Sequence, residues 1–456
     1  MALPLNKEMT FLKNLIKKIV PRPVWNTAHW LIALAGAVKY KFPSRGLIVI
    51  GVTGTNGKST VVQLLHDIFS GFGLNVASTS TIRFRIKDKI VDNKLKMTMP
   101  GRLALQKFLR ESADVGCQYA ILEVTSEGLK QHRADFINFD CAVLTNVRPE
   151  HIESHGSFEK YRAAKEILFG KLKSRKDKTK KISVVNLDDP SVFYYSRYSA
   201  DQKIGYGLFQ ENHRPEVKKN FIPESIKFSK NGADFILEGE EYSSPLLGDF
   251  NLYNALAALA VARAFEIPAK VIKESLVNFK GAPGRLEVLQ KDPFLAAIDY
   301  AHTPDALEAV YRVARSFWLS PDVGRLETRR PTSGNGGRLI GVLGATGGGR
   351  DKWKRPQLGA IAERFCDEIF LTDEDPYSED PEHIVKDVSR GIKSKSYKII
   401  MDRRLAIREA LQSARAGDAV LITGKGAEKT MMTRFGAMDW DERAVVLEEL
   451  AKLSKK

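Results

Sequence analysis

Residues 51–60, Gly-Val-Thr-Gly-Thr-Asn-Gly-Lys-Ser-Thr, combine three glycines with a lysine and several hydroxyl side chains. The apolar run 47–50 precedes this stretch and an apolar-periodic segment follows it, so we expect a strand, a glycine-rich turn and a helix. This is the setting in which a loop binds phosphate, because N–H groups at the start of the helix converge on phosphate oxygens. An ordinary strand-to-helix turn with a chance lysine is the alternative.

The side chains of this turn suit a nucleoside triphosphate. Gly54 and Gly57 can adopt positive φ and let the backbone approach an anion closely. Lys58 can reach the outer phosphates, and the hydroxyl of Ser59 or Thr60 can ligate Mg²⁺. We therefore predict that a nucleoside triphosphate and Mg²⁺ bind at this loop.

Two further polar groups follow apolar runs. Glu123 lies at the carboxyl end of the run 120–124, where a second Mg²⁺ ligand would be expected in an open α/β sheet. A structural acid paired with an arginine is the alternative. His151 and His155 follow the run 141–144, but no cysteine or third histidine has suitable spacing for zinc. Contact with Mg²⁺ or plain hydrogen bonding is therefore favoured for the histidines.

The composition is that of a globular protein. The residues are 43% apolar and 28% charged. The length of 456 residues indicates about two to four domains. The net charge of +16 is spread along the chain, so anionic small substrates are favoured over nucleic acid as partners. The three cysteines lack CxxC spacing and imply neither a disulfide framework nor a zinc site. A reducing, cytoplasmic location fits this pattern.

The order of apolar runs predicts an α/β fold in three parts. A short helical head, residues 1–45, precedes a central ATP-binding domain with a mostly parallel sheet, residues 46–285. Within the central domain, residues 205–247 alternate irregularly and suggest a small antiparallel patch. A C-terminal Rossmann-like α/β domain spans residues 286–456. Its stretch 322–338, rich in Gly, Arg, Thr and Pro, is predicted to be a flexible surface insertion.

The head is basic and amphipathic. No apolar span in the sequence reaches 18 residues, so a membrane-spanning helix is not predicted. We expect one or two helices that pack onto the body of the protein, with peripheral membrane contact as the alternative.

Nine motifs in order resemble the Mur ligase family, and most closely its UDP-N-acetylmuramoyl-tripeptide synthetases. The similarity covers about residues 47–445. The motifs are Val52 to Thr60, Glu123 to Gly128 with Gln131 and Arg133, Thr145 to His151, Tyr161 to Lys165, Gly248 to Asn254, Pro283 to Arg285, Asp299 to Ala306, Gly347 to Lys352, and Gly424 to Gly426 with Glu428.

The resemblance implies an ATP-dependent amide ligase of peptidoglycan synthesis. In such an enzyme a substrate carboxylate attacks the γ-phosphate of ATP, and an amino acid then attacks the resulting acyl phosphate. Lys58 and Arg285 would neutralise charge on the transferring phosphoryl group. On the residues alone Lys165 is expected to be a surface lysine, whereas the resemblance implies a carbamylated lysine that helps to hold a second Mg²⁺.

The resemblance also implies roles for the remaining motif residues. It assigns nucleotide contacts to Gly54, Thr55, Asn56, Gly57, Lys58, Ser59, Thr60, Asn254, Arg285 and Asp299. It assigns metal contacts to Ser59, Glu123, His151 and Lys165. It assigns the nucleotide-sugar peptide to Thr98, Met99, Ser126, Gln131 and Arg133, and the incoming amino acid to Arg350, Glu374, Asp375, Tyr377, Gly424 and Glu428.

Three departures from the family pattern bear on the substrates. Tyr377 stands where diaminopimelate-adding enzymes have an arginine, and it cannot supply a bidentate charged fork, so a diamino acid such as lysine or ornithine is plausible. Glu374 and Asp375 could receive an ammonium group. Met99 replaces a usual threonine, and Glu150 a usual aspartate.

The head stands where the family usually has a uridine-binding domain. The predicted acceptor is UDP-muramoyl-dipeptide-like, and a lipid-linked muropeptide is the alternative that the short head raises. A polyglutamate-like or cyanophycin-like substrate, or a non-catalytic nucleotide-binding scaffold, are the rivals. The residues leave the oligomeric state open.

Overall fold

The computed structural model describes most of the chain. The described residues are 22–93, 95, 97–172, 180–212, 214–319 and 337–454. The first part of the predicted head, residues 1–21, and nearly all of the predicted insertion at 322–338 lie outside them.

A mostly parallel sheet forms the centre of the first large domain. Within the described residues it has nine strands: β1 (Ile48–Thr53), β2 (Val76–Thr79), β3 (Arg83–Ile86), β4 (Lys89–Asp92), β5 (Tyr119–Glu123), β6 (Cys141–Leu144), β7 (Ile182–Asn186), β8 (Gln202–Tyr206) and β9 (Lys219–Phe221). Their order is β4-β3-β2-β5-β1-β6-β7-β8-β9. Strand β3 pairs antiparallel with both β2 and β4, and every other pair in this sheet is parallel. Val52 of β1 therefore lies opposite Glu123 of β5 and Val143 of β6, which brings three strand ends together.

Helices cover both faces of this sheet. They are α1 (Arg22–Lys39), α2 (Lys58–Gly71), α3 (Arg102–Asp114), α4 (Ser126–Lys130), α5 (Ile152–His155), α6 (Phe158–Gly170), α7 (Val192–Ser196), α8 (Asp249–Ala264) and α9 (Ala269–Asn278). The alanine-rich α8 is buried along most of its length against the face that also packs α2 and α9. On the other face α3 and α6 pack over a second apolar cluster. Coverage on both faces explains why β1 reads as an almost continuous apolar run.

The predicted antiparallel patch is present in part. The strands β10 (Ser225–Ser229), β11 (Gly232–Leu237) and β12 (Glu240–Ser244) form a three-stranded antiparallel sheet in the described part of the chain. The earlier strands β8 and β9, which fall in the same irregular stretch, instead extend the parallel sheet.

The described portion of the head packs onto the body of the protein. Helix α1 turns its small residues Ala33, Gly36 and Ala37 towards α3, and a Cβ at residue 36 would lie 3.5 Å from Gln106 Cγ. The ring centroid of Trp30 lies 5.4 Å from that of Phe136. Small residues let the two helices approach closely, so one face of α1 packs against the central domain.

A second α/β unit follows the central domain. In the described residues its strands are β13 (Glu287–Gln290), β14 (Leu295–Asp299), β15 (Leu339–Leu343), β16 (Glu368–Leu371), β17 (Lys398–Ile399) and β18 (Ala419–Thr423), in the order β13-β14-β18-β15-β16-β17, with only β13 antiparallel. A hairpin, β19 (Thr430–Thr433) and β20 (Gly436–Asp439), follows β18. The helices are α10 (Pro304–Val313), continued by a π-helical turn at Ala314–Trp318, α11 (Lys354–Phe365), α12 (Pro381–Ser389), α13 (Arg403–Ser413) and α14 (Glu442–Leu453).

The predicted fold class is confirmed, because two mostly parallel sheets are each covered by helices. All three cysteines are buried free thiols. None of the described helices is long and apolar enough to cross a bilayer.

We predict that Gly57→Ala disrupts the turn between β1 and α2. Gly57 has φ +84°, and a Cβ there would lie 2.2 Å from Asn254 Oδ1. Gly73 is a matched control, since it has the same φ of +84° but no atom within 4 Å of the position that a Cβ would take. We expect Gly73→Ala to lose about 1 kcal/mol in the free energy of unfolding, measured by urea denaturation, and to bind ADP normally. Gly57→Ala should weaken ADP binding at least about tenfold by calorimetry, and equal affinities of the two variants would contradict this.

Candidate active site

Most of the predicted site residues line one cavity of about 280 Å³, with walls from both large domains. Those in its wall are Thr55, Asn56, Gly57, Lys58, Ser59, Thr60, Thr98, Met99, Glu123, Ser126, Arg133, His151, Lys165, Arg285, Arg350, Glu374, Asp375, Tyr377, Gly424 and Glu428. The structure therefore brings together residues that are up to 373 positions apart in the chain, from Thr55 to Glu428.

Lys58 and Lys165 direct their amino groups at the same backbone oxygen. Lys58 Nζ donates to Gly54 O at 3.0 Å and to Thr55 O at 2.7 Å. Lys165, which is 2% exposed, donates from Nζ to Gly54 O at 2.8 Å. Burial lowers the pKa of Lys58, and burial together with the charge of Lys58 holds the pKa of Lys165 well below its usual value. Lys165 therefore becomes a neutral, nucleophilic amine at a lower pH than an exposed lysine does.

Oxygen atoms suited to a magnesium ion gather beside the loop. Ser59 Oγ donates to Glu123 Oε2 at 2.7 Å. Thr81 donates from its N–H to Glu123 Oε2 at 2.8 Å and from its hydroxyl to Oε1 at 3.0 Å. Hydroxyl and carboxylate oxygens are the ligands that Mg²⁺ prefers. No group of three or more His, Cys, Asp or Glu in the described residues is placed to hold a metal, so an ion here would need other oxygen ligands as well.

Glu150, His151 and His302 connect the two domains at the cavity. His302 Nε2 lies 3.0 Å from Glu150 Oε1, and His302 Nδ1 lies 2.9 Å from Tyr300 O. Since both of these oxygens are acceptors, both ring nitrogens must donate for both hydrogen bonds to form. His151 Nε2 lies 3.8 Å from the same Glu150 oxygen. Burial lowers the pKa of His151; burial would raise the pKa of Glu150, but the two histidines hold it well below its usual value.

Arg285 enters the cavity from the junction between the domains. Its guanidinium carbon lies 4.2 Å from the centroid of the Tyr300 ring, a cation–π arrangement. The preceding Gly284 has φ +63°, and a Cβ there would lie 2.1 Å from Ala427 N. The turn is thus packed tightly against the loop that follows β18, and this packing fixes where Arg285 points.

Four predicted residues do not line the cavity: Gly54, Gln131, Asn254 and Asp299. Asp299 accepts hydrogen bonds from Leu286 N at 2.5 Å and Ala301 N at 2.6 Å, so its carboxylate holds the interdomain turn. Asn254 Oδ1 occupies the space that a side chain at Gly57 would need. Both residues support the walls of the cavity from behind.

The predicted acceptor residues form a connected polar wall. Thr98 Oγ1 lies 2.9 Å from Thr81 Oγ1 and can donate to it, because the one hydroxyl proton of Thr81 is directed at Glu123. Arg133 donates from Nη1 to Met99 O at 2.6 Å and from Nη2 to Gln131 Oε1 at 2.7 Å. Gln131 does not line the cavity itself, but it accepts a hydrogen bond from Arg133 and so orients the Arg133 side chain.

At the C-terminal-domain side, two of the predicted acids share one buried lysine as an ion-pair partner. The buried Lys425 Nζ donates to Asp375 Oδ2 at 2.9 Å and also to Glu428 Oε2. Asp375 Oδ1 accepts from Met432 N at 2.6 Å, and Glu428 Oε1 accepts from Tyr300 OH at 3.3 Å. Burial would lower the pKa of Lys425, but Glu428 and Asp375 raise it above its usual value. Lys425 therefore stays charged and binds both acids internally.

Glu374 is differently placed. It is 3% exposed, and its Oε1 accepts from Thr346 Oγ1 at 2.7 Å. Its Oε2 is buried and has no hydrogen-bond partner among the described residues. A Cβ at Gly424 would lie 2.3 Å from that oxygen, so the glycine leaves room beside it. A buried carboxylate oxygen without a partner is costly, which indicates a group meant for a ligand.

Two cations line the same side of the cavity. Arg350 forms no ion pair with any described residue, and Tyr377 lies beside it. Lys354 is 4% exposed, and burial lowers its pKa although Glu150 and Glu374 act against this. The side is therefore suited to a small molecule that carries both a carboxylate and an ammonium group.

Sequence reasoning did not assign Thr81, Tyr300, His302, Thr346 and Lys354, all of which line the cavity. Thr81 follows β2, so polar residues after a parallel strand could have identified it. Tyr300 and His302 lie in the family-like motif Asp299 to Ala306, but of its residues the resemblance assigned a role only to Asp299. Lys354 begins a helix among charged and polar neighbours, so nothing in the adjacent sequence indicates that its side chain is buried.

Family comparisons agree with this architecture. Residues 52–262 match the family model "Mur ligase middle domain", and residues 284–426 match "Mur ligase, glutamate ligase domain". A UDP-N-acetylmuramoyl-L-alanyl-D-glutamate–2,6-diaminopimelate ligase of Halalkalibacterium halodurans is 34% identical over 93% of this chain and 83% of its own length. A UDP-N-acetylmuramyl-tripeptide synthetase of Roseiflexus sp. is 34% identical over 95% of this chain and 85% of its own length.

A solved structure shows the same likeness in three dimensions. A UDP-N-acetylmuramoyl-L-alanyl-D-glutamate–2,6-diaminopimelate ligase superposes with a TM-score of 0.58 at 30% identity, over 90% of this chain and 79% of that chain. At this level of identity over nearly its whole length, the chain belongs to the Mur ligase family of ATP-dependent ligases.

Proposed function

We propose that this ligase joins an amino acid with a side-chain ammonium group to the carboxylate of a muramoyl-dipeptide-like acceptor in peptidoglycan synthesis. The observation that supports it best is the convergence of Lys58, Lys165, Glu123 and Arg285 on one cavity. The same cavity holds a buried carboxylate oxygen, Glu374 Oε2, that has no hydrogen-bond partner among the described residues. Named relatives add diaminopimelate to UDP-N-acetylmuramoyl-L-alanyl-D-glutamate, which supports an acceptor of this class.

In the first step an oxygen of the acceptor carboxylate attacks the γ-phosphorus of ATP. An oxygen–phosphorus bond forms, the bond to the bridging oxygen breaks, and ADP leaves. Lys58 and Arg285 would balance the charge on the transferring phosphoryl group, and the enclosed site would exclude water. In the second step the amine attacks the acyl carbon, a carbon–nitrogen bond forms, phosphate leaves with the electron pair and the amine loses a proton.

Lys165 is suited to carbamylation. A neutral amine adds to carbon dioxide and releases a proton, and burial keeps the pKa of Lys165 well below its usual value. The product would replace a cation beside Lys58 with an anion, which removes the repulsion between two ammonium groups that share Gly54 O. Lys165 would then act as a carboxylate in the cavity.

The oxygens around Ser59 fit Mg²⁺. Ser59 would hold one ion, and Glu123, His151 and a carbamylated Lys165 would hold a second. Bound Mg²⁺ would neutralise charge on the phosphates of ATP. Thr81 positions Glu123 through two hydrogen bonds, whatever the ion.

The deciding experiment measures phosphate release by purified protein. We expect release only when ATP, Mg²⁺, UDP-muramoyl-Ala-Glu and an amino acid are all present. Lys165→Ala should lower the rate by about a hundredfold or more, as expected when a preorganised charge is lost at the transferring group. Lys160→Ala, an exposed lysine of the same helix, is the control and should keep normal activity. Bicarbonate or formate should partly rescue Lys165→Ala.

The outcomes of this experiment separate the rivals. Failure of every acceptor to stimulate release would leave the non-catalytic scaffold as the function. Full activity of Lys165→Ala would refute only the role of that lysine.

Glu374 sets the amino acid class in this proposal. Its free Oε2 would accept the side-chain ammonium of lysine or ornithine, and Arg350 would hold a carboxylate. Asp375 and Glu428 are bound to Lys425, so the hypothesis that Asp375 shares this task loses support.

We predict that Glu374→Gln raises KM for lysine by about ten- to hundredfold, because a charge-assisted hydrogen bond contributes roughly 1.5–3 kcal/mol. Asp373→Asn is the control, since the neighbouring carboxylate does not line the cavity and its amide oxygen can still accept from Glu374 N. Wild-type protein should use lysine or ornithine better than diaminopimelate. A preference for diaminopimelate, or an unchanged KM in Glu374→Gln, would be inconsistent with this assignment.

The outer face of α1 suits an anionic bilayer surface. Val24, Leu31 and Val38 are spaced by seven residues and are 55%, 51% and 57% exposed. The sequence has no acidic residue from 22 to 66, while Lys39 and Lys41 follow the stripe. Two copies packed through this face would bring cations together without acids to pair them, so an anionic surface is favoured over self-association. Such contact would suit a lipid-linked acceptor.

We predict that the protein cosediments with vesicles of anionic phospholipid and not with neutral ones. Val38→Glu should abolish binding, because it places an anion in the stripe. Val277→Glu is the matched control, an equally exposed helical valine at 55% on α9, and should bind as wild type does. Equal vesicle binding by both variants, or a monomer–dimer change in Val38→Glu by light scattering, would disprove membrane docking through α1.

A further inference from the structure

The loop Arg350–Lys352 of the C-terminal domain contacts the short helix α5 of the central domain. Asp351 Oδ2 accepts from Ile152 N at 3.2 Å, and Asp351 Oδ1 accepts from Glu153 N at 2.9 Å. In return, Glu153 Oε1 accepts from Lys352 N at 2.8 Å. Asp351 is 4% exposed, so the two hydrogen bonds that its carboxylate accepts are partly shielded from water, whereas the one between Lys352 and Glu153 is exposed.

This is a reciprocal helix cap formed between domains. The first N–H groups of a helix have no partner within the helix and are usually capped by a nearby side chain. The residue at the N-cap position of α5 is His151, whose side chain makes no capping hydrogen bond. The carboxylate that satisfies these groups comes instead from Asp351, 198 positions beyond Glu153.

Each side of this cap is joined directly to a cavity residue. Arg350 immediately precedes Asp351, and His151 immediately precedes Ile152. His151 also has φ +56°, a conformation that is unfavourable for most residues and needs support from its surroundings. The hydrogen bond between His302 and Glu150 at 3.0 Å holds the residue on the other side of His151 to the same domain.

From this geometry we infer that Asp351 couples the two halves of the site. A carboxylate bound at Arg350 orders the loop that caps α5, and the capped α5 fixes His151 beside the phosphate-binding loop. By reciprocity, nucleotide bound at that loop raises the affinity for the amino acid. This inference rests on the proposed function for the identity of the amino acid. Asp351 acts as a positioning residue, since it contacts neither ligand.

Hydrogen exchange and calorimetry test this coupling. In Asp351→Ala, peptides covering residues 150–158 should exchange at least about tenfold faster than in wild type, because two amides lose their acceptor. In wild type, ADP should raise the affinity for L-lysine by about fivefold or more, and Asp351→Ala should reduce this factor to below about two. Asp351→Asn keeps one acceptor oxygen, so its exchange rate and its coupling factor should lie between those of wild type and Asp351→Ala. This graded result would distinguish loss of the cap from a general folding defect.

Asp380→Ala is the matched control. Asp380 caps α12 through Glu382 N at 2.9 Å, within its own domain, so its loss should leave both the exchange at α5 and the coupling unchanged. Equal exchange of 150–158 in Asp351→Ala and wild type would overturn the inference, and so would coupling that survives in Asp351→Ala or is missing from wild type. If L-lysine does not bind wild type at all, the proposed amino acid is wrong, while the exchange comparison still decides whether Asp351 caps α5.

Discussion

Two lysine amino groups meet at the carbonyl oxygen of Gly54, and the rest of the site is arranged around this contact. Burying two ammonium groups against one oxygen is unfavourable unless one loses its charge or acids lie close by. Both remedies are present: burial and Lys58 depress the pKa of Lys165, and the acids Glu123 and Glu150 act on both lysines in the opposite direction. The site therefore lets Lys165 lose its ammonium charge more readily than an exposed lysine does, as the proposed carbamylation requires.

The position of the Gly54 carbonyl follows from the sheet. Gly54 has φ +151°, and a Cβ there would lie 1.9 Å from Thr145 Oγ1, at the end of the neighbouring strand β6. Because β5, β1 and β6 are parallel, their carboxyl ends supply Glu123, the loop and Thr145 to one edge. The second sheet presents its own strand ends to this edge, so the two domains enclose the cavity between like ends of parallel strands.

The fold could be predicted because its strands are apolar runs bounded by glycine and polar residues, patterns that are local in the chain. The burial of Lys165 could not be predicted, since its helix has an ordinary apolar stripe and the residue that accepts its hydrogen bond, Gly54, lies 111 positions earlier. The contacts of Asp299 show the same limit: its predicted nucleotide contact stays a prediction, while the hydrogen bonds that its carboxylate accepts from Leu286 N and Ala301 N are visible only in the structure. Residue type and spacing predicted which residues belong to the site. Which of their side chains line the cavity depends on packing between distant segments.

The amino-acid side of the cavity shows how internal ion pairs can select a ligand. Asp375 and Glu428 would each attract an ammonium group if free, but the buried Lys425 binds both. A buried group of three charges generally adds little to the free energy of unfolding. Its effect here concerns which carboxylates of the cavity remain available to a ligand. Both acids are bound to Lys425, and Gly424 leaves space beside Glu374. The Oε2 atom of Glu374, which has no hydrogen-bond partner among the described residues, is the oxygen that the proposed ligand ammonium would meet. In the proposed function a ligand ammonium would therefore meet one carboxylate at a defined place, and this is the condition for discriminating between amino acids by the position of their charge.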